Sequence, residues 1–317
     1  PMINRRRVAA LSLGLAFAAP FAQAQTKPVR IVVGFPPGGS ADVAARVIAE
    51  KMQASLGTAV VVENKPGAGG RIAAQGVKDA APDGTTLMLA PFAVMVVQPA
   101  VFRSIKYDTA ADFAPVGTVV TFPLALAAGP GTPANSMKEL VEWLRANPAQ
   151  AHYGSPGAGS MPHFLGEMLG SQVGARLTHV PFQGGAPLTT NLLGGQIPIG
   201  FDTPAEFAEH HRAGKLRILA LSGGTRHTRF PGVPTLREAG IDIDALAWFG
   251  LFAPAQTPKA TIERLNAAMQ AALKAPDAAE KLDKLGLQPA PAPAEELVRR
   301  LAADKAAWHP VIQKSGY

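Results

Sequence analysis

Residues 29–42 read VRIVVGFPPGGSAD and set the plan for the chain. The β-branched run Ile31–Val33 predicts a buried strand. The strand ends at Pro36-Pro37-Gly38-Gly39, because these residues do not continue a hydrogen-bonded ladder. A helix is predicted next, with Ser40 as its N-cap and Asp42 in its first turn, where the helix dipole favours an acid. The segment therefore predicts a strand, a glycine turn and the start of a helix.

The glycine turn suits an anion, because it leaves backbone N–H groups at the helix N-terminus and glycine lets a ligand approach them. Phosphate is disfavoured, since no lysine follows Gly38-Gly39 as a Walker loop requires. The glycine spacing also fails to match the dinucleotide fingerprint G-x-G-x-x-G. A carboxylate site and a purely structural turn both remain compatible with this segment.

The N-terminus has the pattern of an export signal. Arg5-Arg6-Arg7 forms a positive region, an apolar run covers Val8–Ala19, and Ala22-Gln23-Ala24 supplies a small-x-small cleavage site. The apolar run is too short to span a membrane. We predict cleavage after Ala24, by either the Sec or the twin-arginine route, and a periplasmic mature chain.

Composition narrows the classes of function. The chain has 317 residues, no cysteine and a formal charge of +7, of which the predicted mature chain keeps +4 because the leader removes three arginines. Without cysteine there are no disulfides or thiolate metal sites. The histidines show no metal-binding spacing, so no metal is expected and a solvated or capping role is expected for His179, His210, His211, His227 and His309. Basic residues are not interleaved with aromatics, so nucleic acid is not an expected partner.

Strand, glycine turn and helix repeat along the chain, which predicts parallel βαβ units in two lobes. Two segments, Phe122–Ala128 and Trp248–Ala253, are each followed by a Thr-Pro pair and a long amphipathic helix. We expect these strands to cross between the lobes and a cleft to lie at the crossing. The predicted division is signal peptide 1–24, lobe one 25–124 and 250–317, and lobe two 125–249.

Serine, histidine and aspartate also occur near the predicted cleft, where they could form a hydrolase triad of Ser160, His163 and Asp202. The nucleophile-elbow pattern fails at Tyr153, where glycine is required. Ser160 is favoured as a helix N-cap and His163 as a first-turn residue that contacts a ligand. Glycine-rich helix starts from two lobes favour instead a binding protein that holds a carboxylate through backbone donors.

Several motifs lie in order over the predicted mature chain. They are Phe35–Asp42 with Ala45-Arg46, Glu63–Gly70, Tyr153-Gly154-Ser155 with Gly157 and Gly159-Ser160, His163, Gly166-Glu167, Leu192–Gln196, Pro231 with Val233-Pro234-Thr235, and Trp248 with Gly250-Leu251 and Ala253-Pro254. Together they resemble the Bug-type (TctC-like) solute receptors of tripartite tricarboxylate transporters. The resemblance implies an α/β two-lobed periplasmic binding protein (type II-like, Venus flytrap) that closes on a small organic acid. Such a receptor delivers its ligand to membrane permease subunits, acts as a monomer and has neither a cofactor nor a catalytic role.

The resemblance also implies the binding residues, since the family holds its carboxylate with the first strand–helix loop and with loops of the second lobe. Carried onto this chain, the lobe-one contacts are Phe35, Gly38, Gly39, Ser40 and Asp42. The lobe-two contacts are Ser155, Gly157, Gly159, Ser160, His163 and Asp202.

Two departures from the family pattern predict a less polar pocket. Phe182-Gln183 stands where relatives usually carry Tyr-Lys, and Ala90–Met95 stands where relatives have small polar residues. We therefore add Phe92, Phe182 and Gln183 to the predicted site, with both phenylalanines as either pocket wall or core. The predicted ligand has one well-held carboxylate and an apolar or aromatic body. A ligand-presenting sensor component for a signalling kinase and an exported hydrolase remain as alternative functions.

Overall fold

The computed structural model describes residues 27–316, which form an α/β protein with two sheets. The predicted signal peptide and its cleavage site lie outside these residues. The strands are β1 Val29–Val33, β2 Val60–Asn64, β3 Thr86–Pro91, β4 Phe113–Pro123, β5 Ala125–Ala128, β6 His152–Ser155, β7 Thr178–Pro181, β8 Ile199–Asp202, β9 Arg217–Leu221, β10 Leu246–Pro254 and β11 Gln288–Pro289. The helices are α1 Ser40–Leu56, α2 Arg71–Lys78, α3 Gln98–Val101, α4 Thr109–Asp112, α5 Met137–Ala146, α6 Met161–Val173, α7 Gly185–Leu193, α8 Pro204–Arg212, α9 Lys259–Lys274, α10 Pro276–Asp283 and α11 Ala294–Lys314.

Both sheets are mixed: the predicted parallel βαβ units form, and antiparallel strands adjoin them in each sheet. In the first sheet, ordered β11-β4-β10-β3-β1-β2, the strands β1, β2 and β3 are parallel, whereas β10 runs antiparallel to β3 and β4. In the second, ordered β7-β6-β8-β5-β9, β6 is parallel to β7 and β8 and β5 is antiparallel to β8 and β9. The antiparallel pairs all include a strand next to a crossing between sheets. We keep the names lobe one and lobe two for the halves built on these sheets.

The chain crosses between the lobes twice, and one serine joins the two crossings. The first crossing is at Leu124, between β4 and β5. The return crossing occupies residues 222–245, ahead of β10, and Leu246 pairs with Pro123 in the lobe-one sheet. Ser222 is fully buried; its hydroxyl accepts from the Leu124 amide at 2.9 Å and donates to the Ala245 carbonyl at 2.6 Å. Its own amide donates to the Leu124 carbonyl at 2.8 Å. We call these three residues the Ser222 hinge.

An aromatic group fills the lobe-one core. The ring of Phe92 packs edge-on against Trp248 at 5.8 Å and against Trp308 at 5.4 Å, measured between ring centroids. Phe92 is 2% exposed. Of the two alternatives for Phe92, pocket wall or core, these contacts favour the core, because the ring is covered by Trp248 of β10 and Trp308 of α11.

A π-helical segment, Ala93–Val97, follows β3 and leads into α3. Three of its carbonyls are bound by side chains from other segments: Val94 accepts from Tyr107 at 2.6 Å, Met95 from Thr109 at 2.7 Å and Val96 from His309 at 3.2 Å. These bonds satisfy carbonyls that the wider π-helical turn would otherwise leave without a hydrogen-bond donor. Of the solvated and capping roles predicted for His309, its contact with the Val96 carbonyl favours a capping one.

The lobes also touch away from the Ser222 hinge. His227, which is 2% exposed, has its Nε2 atom 3.3 Å from the carbonyl of Gly286, and Arg229 pairs with Asp283 at 3.5 Å. On another side, a Cβ atom on Gly159 of lobe two would lie 3.6 Å from Val101 at the end of α3. The loop that precedes α6 thus lies against lobe one. Within residues 27–316, no helix is both long and apolar enough to cross a membrane.

Candidate functional site

The first glycine turn forms as predicted, but its cap differs. α1 begins at Ser40 and its N-cap is Gly39, with no side chain bonded to the first helical amides. Ser40 is therefore a first-turn residue and the prediction that it caps the helix is wrong. A Cβ atom built on Gly38 would meet no heavy atom within 4 Å, and one on Gly39 would meet only the Pro36 carbonyl at 3.8 Å. The turn thus has open space beside Gly38 and Gly39, and the first amides of α1 are not bonded by a side-chain cap.

Asp42 shapes this turn from inside the lobe. Its side chain is 3% exposed and accepts from the Gly38 amide at 2.9 Å, from Arg46 Nε at 2.9 Å and from Asn64 Nδ2 at 2.9 Å. Burial raises the pKa of this carboxyl, but the donors from Arg46, Gly38 and Asn64 outweigh burial and hold the pKa below its ordinary value. Asp42 is thus an ionised group that fixes the turn, and its oxygens face lobe one.

Asn64 completes the same network, because it ends β2 beside β1 and so lies at the same sheet edge. Its Nδ2 atom also donates to the Phe35 carbonyl at 3.1 Å, and its Oδ1 atom accepts from Arg46 at 3.1 Å. Phe35 is half-buried, and its ring lies 3.3 Å from where a Cβ atom on Gly70 would stand. The five lobe-one residues predicted from the sequence therefore lie together in this loop and the first turn of α1, with Phe35 against Gly70.

The second loop of the predicted site, residues 155–160, joins β6 to α6 in lobe two. Ser160 caps α6 as predicted: its hydroxyl accepts from the His163 amide at 3.4 Å and donates to the Gly157 carbonyl at 2.6 Å. Gly159 has φ +71°, which favours glycine, whereas a Cβ atom on Gly157 would meet nothing within 4 Å. This loop therefore combines a fixed backbone with one open position.

Two stacked imidazoles support this loop. The rings of His163 and His179 lie 3.8 Å apart between centroids, with 16° between their planes. Nδ1 of His163 accepts from the Gly159 amide at 3.1 Å, and Nε2 of His179 lies 2.7 Å from the hydroxyl of Ser155. Burial lowers the pKa of both histidines, and His179, with His163 as a second cause, falls to about 4. Both rings are thus neutral at pH 7.

Asp202 lies at the end of β8, opposite Ala125, the first residue after the crossing. Its Oδ1 atom accepts from the Thr203 amide at 2.7 Å, while Oδ2 is buried and has no hydrogen-bond partner among residues 27–316. A Cβ atom on Gly185 would lie 2.7 Å from this Oδ2 atom and 2.9 Å from Glu206 Oε2, so a side chain at the start of α7 would displace one of the two carboxylates. Burial, with a smaller contribution from Glu206, raises the pKa of Asp202 to about 7.

Phe182 and Gln183, the two residues of the departure in lobe two, lie in different surroundings. Phe182 is half-buried and packs on the smaller core cluster of lobe two, with its ring 3.0 Å from the Cβ position of Gly154. Gln183 is exposed. Gly184 is the N-cap of α7, where no side chain caps the helix and a Cβ atom would meet nothing within 4 Å. A third open glycine turn therefore lies beside Phe182.

The hydrolase triad does not form, because its three members bond elsewhere. Ser160 donates to the Gly157 carbonyl, and Asp202 accepts from the Thr203 amide. Nδ1 of His163 accepts from the Gly159 amide. A serine–histidine contact does exist between Ser155 and His179. However, a pKa of about 4 makes His179 a poor general base at neutral pH. Among the described residues, no group of three or more His, Asp or Glu is close enough to hold a metal ion.

The comparisons with known proteins agree with this architecture. A sequence profile described as "Tripartite tricarboxylate transporter family receptor" (TctC) matches residues 44–317. The chain belongs to this family. The receptor is 35% identical over 295 residues to Protein BugT of Bordetella pertussis, covering 92% of this chain and 90% of BugT.

Two solved structures have folds similar to that of this receptor. The periplasmic binding protein BugD is 33% identical, with a TM-score of 0.78 over 91% of this chain and 97% of BugD. An R. palustris protein solved with adipate is 30% identical, with a TM-score of 0.82 over 92% of this chain and 98% of that protein. The receptor is therefore an α/β protein of the periplasmic solute-binding type, and its two-lobed fold is confirmed.

Sequence reasoning missed three residues that organise the receptor. Asn64 could have been found, because it follows β2 and the ends of parallel neighbours meet at one sheet edge. His179 required the register of β6 and β7, which pairs it with Tyr153. Ser222 carries no local signal, since its role arises only where the two crossings meet.

Proposed function

We propose that the receptor captures a small organic carboxylate between its lobes in the periplasm and delivers it to the permease subunits of a tripartite tricarboxylate transporter. The main support is a repeated geometry: the helix starts at Gly38-Gly39 and Gly184 lack side-chain caps, and Gly38, Gly157 and Gly184 have open space at their Cβ positions. Such turns offer N–H donors and positive helix ends, which suit a carboxylate. The solved relative that contains adipate supports the same class of ligand.

We further propose that the ligand has an apolar or aromatic body. Phe182 offers an apolar ring beside the third glycine turn, and Gln183 brings no charge. Phe92 no longer supports this proposal, because it lies in the core. Within residues 27–316, the ionised side chain that bonds to these glycine turns is Asp42, an anion already paired with Arg46. A ligand with several carboxylates would therefore meet few positively charged side chains at these turns.

A glycine substitution tests the carboxylate site without straining the backbone. Gly157→Val places a side chain in open space at a position whose φ is not in the left-handed region, so the fold should be kept while the open position is filled. Gly232→Val is the matched control, since Gly232 has the same open surroundings and lies outside the glycine turns. Calorimetry with adipate, benzoate and citrate should show one acid bound by the wild type and the control, and at least about tenfold weaker binding by Gly157→Val.

The outcomes separate the parts of this proposal. If none of a broad set of small acids binds, the receptor function for carboxylates is refuted. If an acid binds equally to Gly157→Val and Gly232→Val, the site lies elsewhere. Tighter binding of citrate than of benzoate would refute the apolar body. Deletion of the permease genes should abolish uptake of the bound acid; unchanged uptake, together with loss of an acid-dependent transcriptional response when a kinase is deleted, would favour the sensor instead.

A further inference from the structure

The loop at residues 155–160 owes its shape to contacts at both of its ends. At the start, the Ser155 hydroxyl donates to the Gly157 carbonyl at 3.0 Å and also lies 2.7 Å from His179 Nε2. We assign the hydroxyl hydrogen to Gly157, so that the imidazole N–H of His179 donates to the serine oxygen. At the far end, the Gly159 amide donates to Nδ1 of His163 at 3.1 Å. Each imidazole thus holds one end of the loop.

The two imidazoles are themselves fixed by their surroundings. They stack on one another at 3.8 Å, and the Tyr153 ring lies 5.0 Å from His179 on the strand paired with β7. The Tyr153 hydroxyl donates to the His163 carbonyl at 2.8 Å and lies 2.9 Å from Glu167 Oε1, which is 3.8 Å from His163 Nε2. His163 is 3% exposed and Ser155 is fully buried. These groups form a packed support beneath the loop.

From this geometry we infer that His163 and His179 are positioning residues, which set the anion-binding loop of lobe two through Nδ1 of His163 and Nε2 of His179. The inference rests on the proposed function. It differs from the sequence expectation, in which His163 contacts the ligand and His179 has no role in the site. A loop fixed before the ligand arrives does not lose conformational freedom on binding, so its amides bind more tightly than those of a loose loop.

Both contacts use the same neutral form of the ring, with hydrogen on Nε2 and none on Nδ1, and the burial of both residues supports that neutral form. Nδ1 of His163 must be free of hydrogen to accept from Gly159, whereas Nε2 of His179 must carry hydrogen to donate to Ser155. Burial lowers the pKa of both groups, so that neither ring is protonated at pH 7. A proton on Nδ1 of His163 would set two donors against each other at Gly159.

Amide side chains provide the test, because asparagine places its oxygen where histidine has Nδ1, whereas glutamine reaches the position of Nε2. His163→Asn and His179→Gln therefore keep the contact made in the wild type, and His163→Gln and His179→Asn lose it. Calorimetry with the tightest-binding acid of the adipate, benzoate and citrate set should give about tenfold weaker binding for the last two variants and for both alanine variants. Binding by His163→Asn and His179→Gln should stay within about threefold of the wild type.

Melting temperatures, measured for all six variants, distinguish positioning from general destabilisation. If the matched amide variants recover stability but not affinity, or if both alanine variants bind as tightly as the wild type, the inference is overturned and the receptor function stands. If no acid of a broad panel binds the wild type, the proposed function itself fails. Recovery of affinity by His163→Asn but not by His163→Gln, with the opposite order at position 179, would establish the two contacts.

Discussion

Asp202 should reduce the stability of the protein above neutral pH, and Asp202→Asn should remove this cost. The side chain is 6% exposed, its Oδ2 atom has no hydrogen-bond partner among residues 27–316, and Glu206 lies beside it. An ionised carboxylate in this place is poorly solvated and meets a like charge. Asparagine has nearly the same shape, stays neutral at every pH and can donate from the position of Oδ2.

The magnitude follows from the pKa. Burial raises the pKa of Asp202 from the ordinary 3.8 to about 7. Between these values the folded state holds a proton that the unfolded state has lost, so stability falls as the pH rises through this window and the full cost is present above about pH 7. A shift of about three pKa units corresponds to about 4 kcal/mol. For about 290 folded residues this is about 6 °C in melting temperature.

The assay is thermal unfolding of ligand-free protein at pH 5, 6, 7 and 8. Asp202→Asn should melt about 6 °C above the wild type at pH 8, and the difference should shrink as the pH falls. Glu209→Gln is the matched control, because Glu209 lies on the neighbouring α8 with its side chain 79% exposed; it should change stability by less than about 0.5 kcal/mol. A difference that is the same at every pH, or a lower melting temperature for Asp202→Asn at pH 8, would refute the argument.

Three further predictions concern residues placed by the structure. Asp42→Ala leaves the Gly38 amide without its acceptor, so it should cost about 2 kcal/mol of stability and weaken ligand binding; unchanged affinity in calorimetry would contradict this. Ser222→Ala should cost about 2 kcal/mol in chemical unfolding, since it removes the hydroxyl that both crossings share; a change below about 0.5 kcal/mol would show that the hinge does not depend on it. Phe92→Ala should lower stability by about 4 kcal/mol and leave the preference between benzoate and citrate unchanged, whereas Phe182→Ala should shift that preference; the reverse result would return Phe92 to the pocket.

Local sequence patterns were sufficient to predict those features that depend on residues close together in the chain. The amphipathic helix predicted after Phe122–Ala128 forms as α5, and Ser160 caps α6 because its hydroxyl reaches an amide three residues ahead. The same rule failed at Ser40. There Asp42 takes the amide of Gly38 from inside the helix, and the chain turns one residue earlier, at Gly39.

Features that depend on distant contacts could not be obtained in this way. The direction of β4 and β10 follows from the two crossings, which no single segment encodes. Phe92 has the same local pattern whether it faces a pocket or a core, and its contacts with Trp248 and Trp308 decide the matter. The resemblance to the receptor family supplied the approximate site, but the roles of Asp42 and His163 within it required the hydrogen bonds of the folded chain.

The π-helical segment after β3 has a consequence for how the lobes meet. Its carbonyls are bound by Tyr107, Thr109 and His309, all of which come from the same half of the molecule. The short helix α3, which follows this segment and ends at Val101, is thus held in position by contacts within lobe one. The end of α3 at Val101, which lies against the loop before α6, therefore presents lobe two with a surface whose shape is set within lobe one.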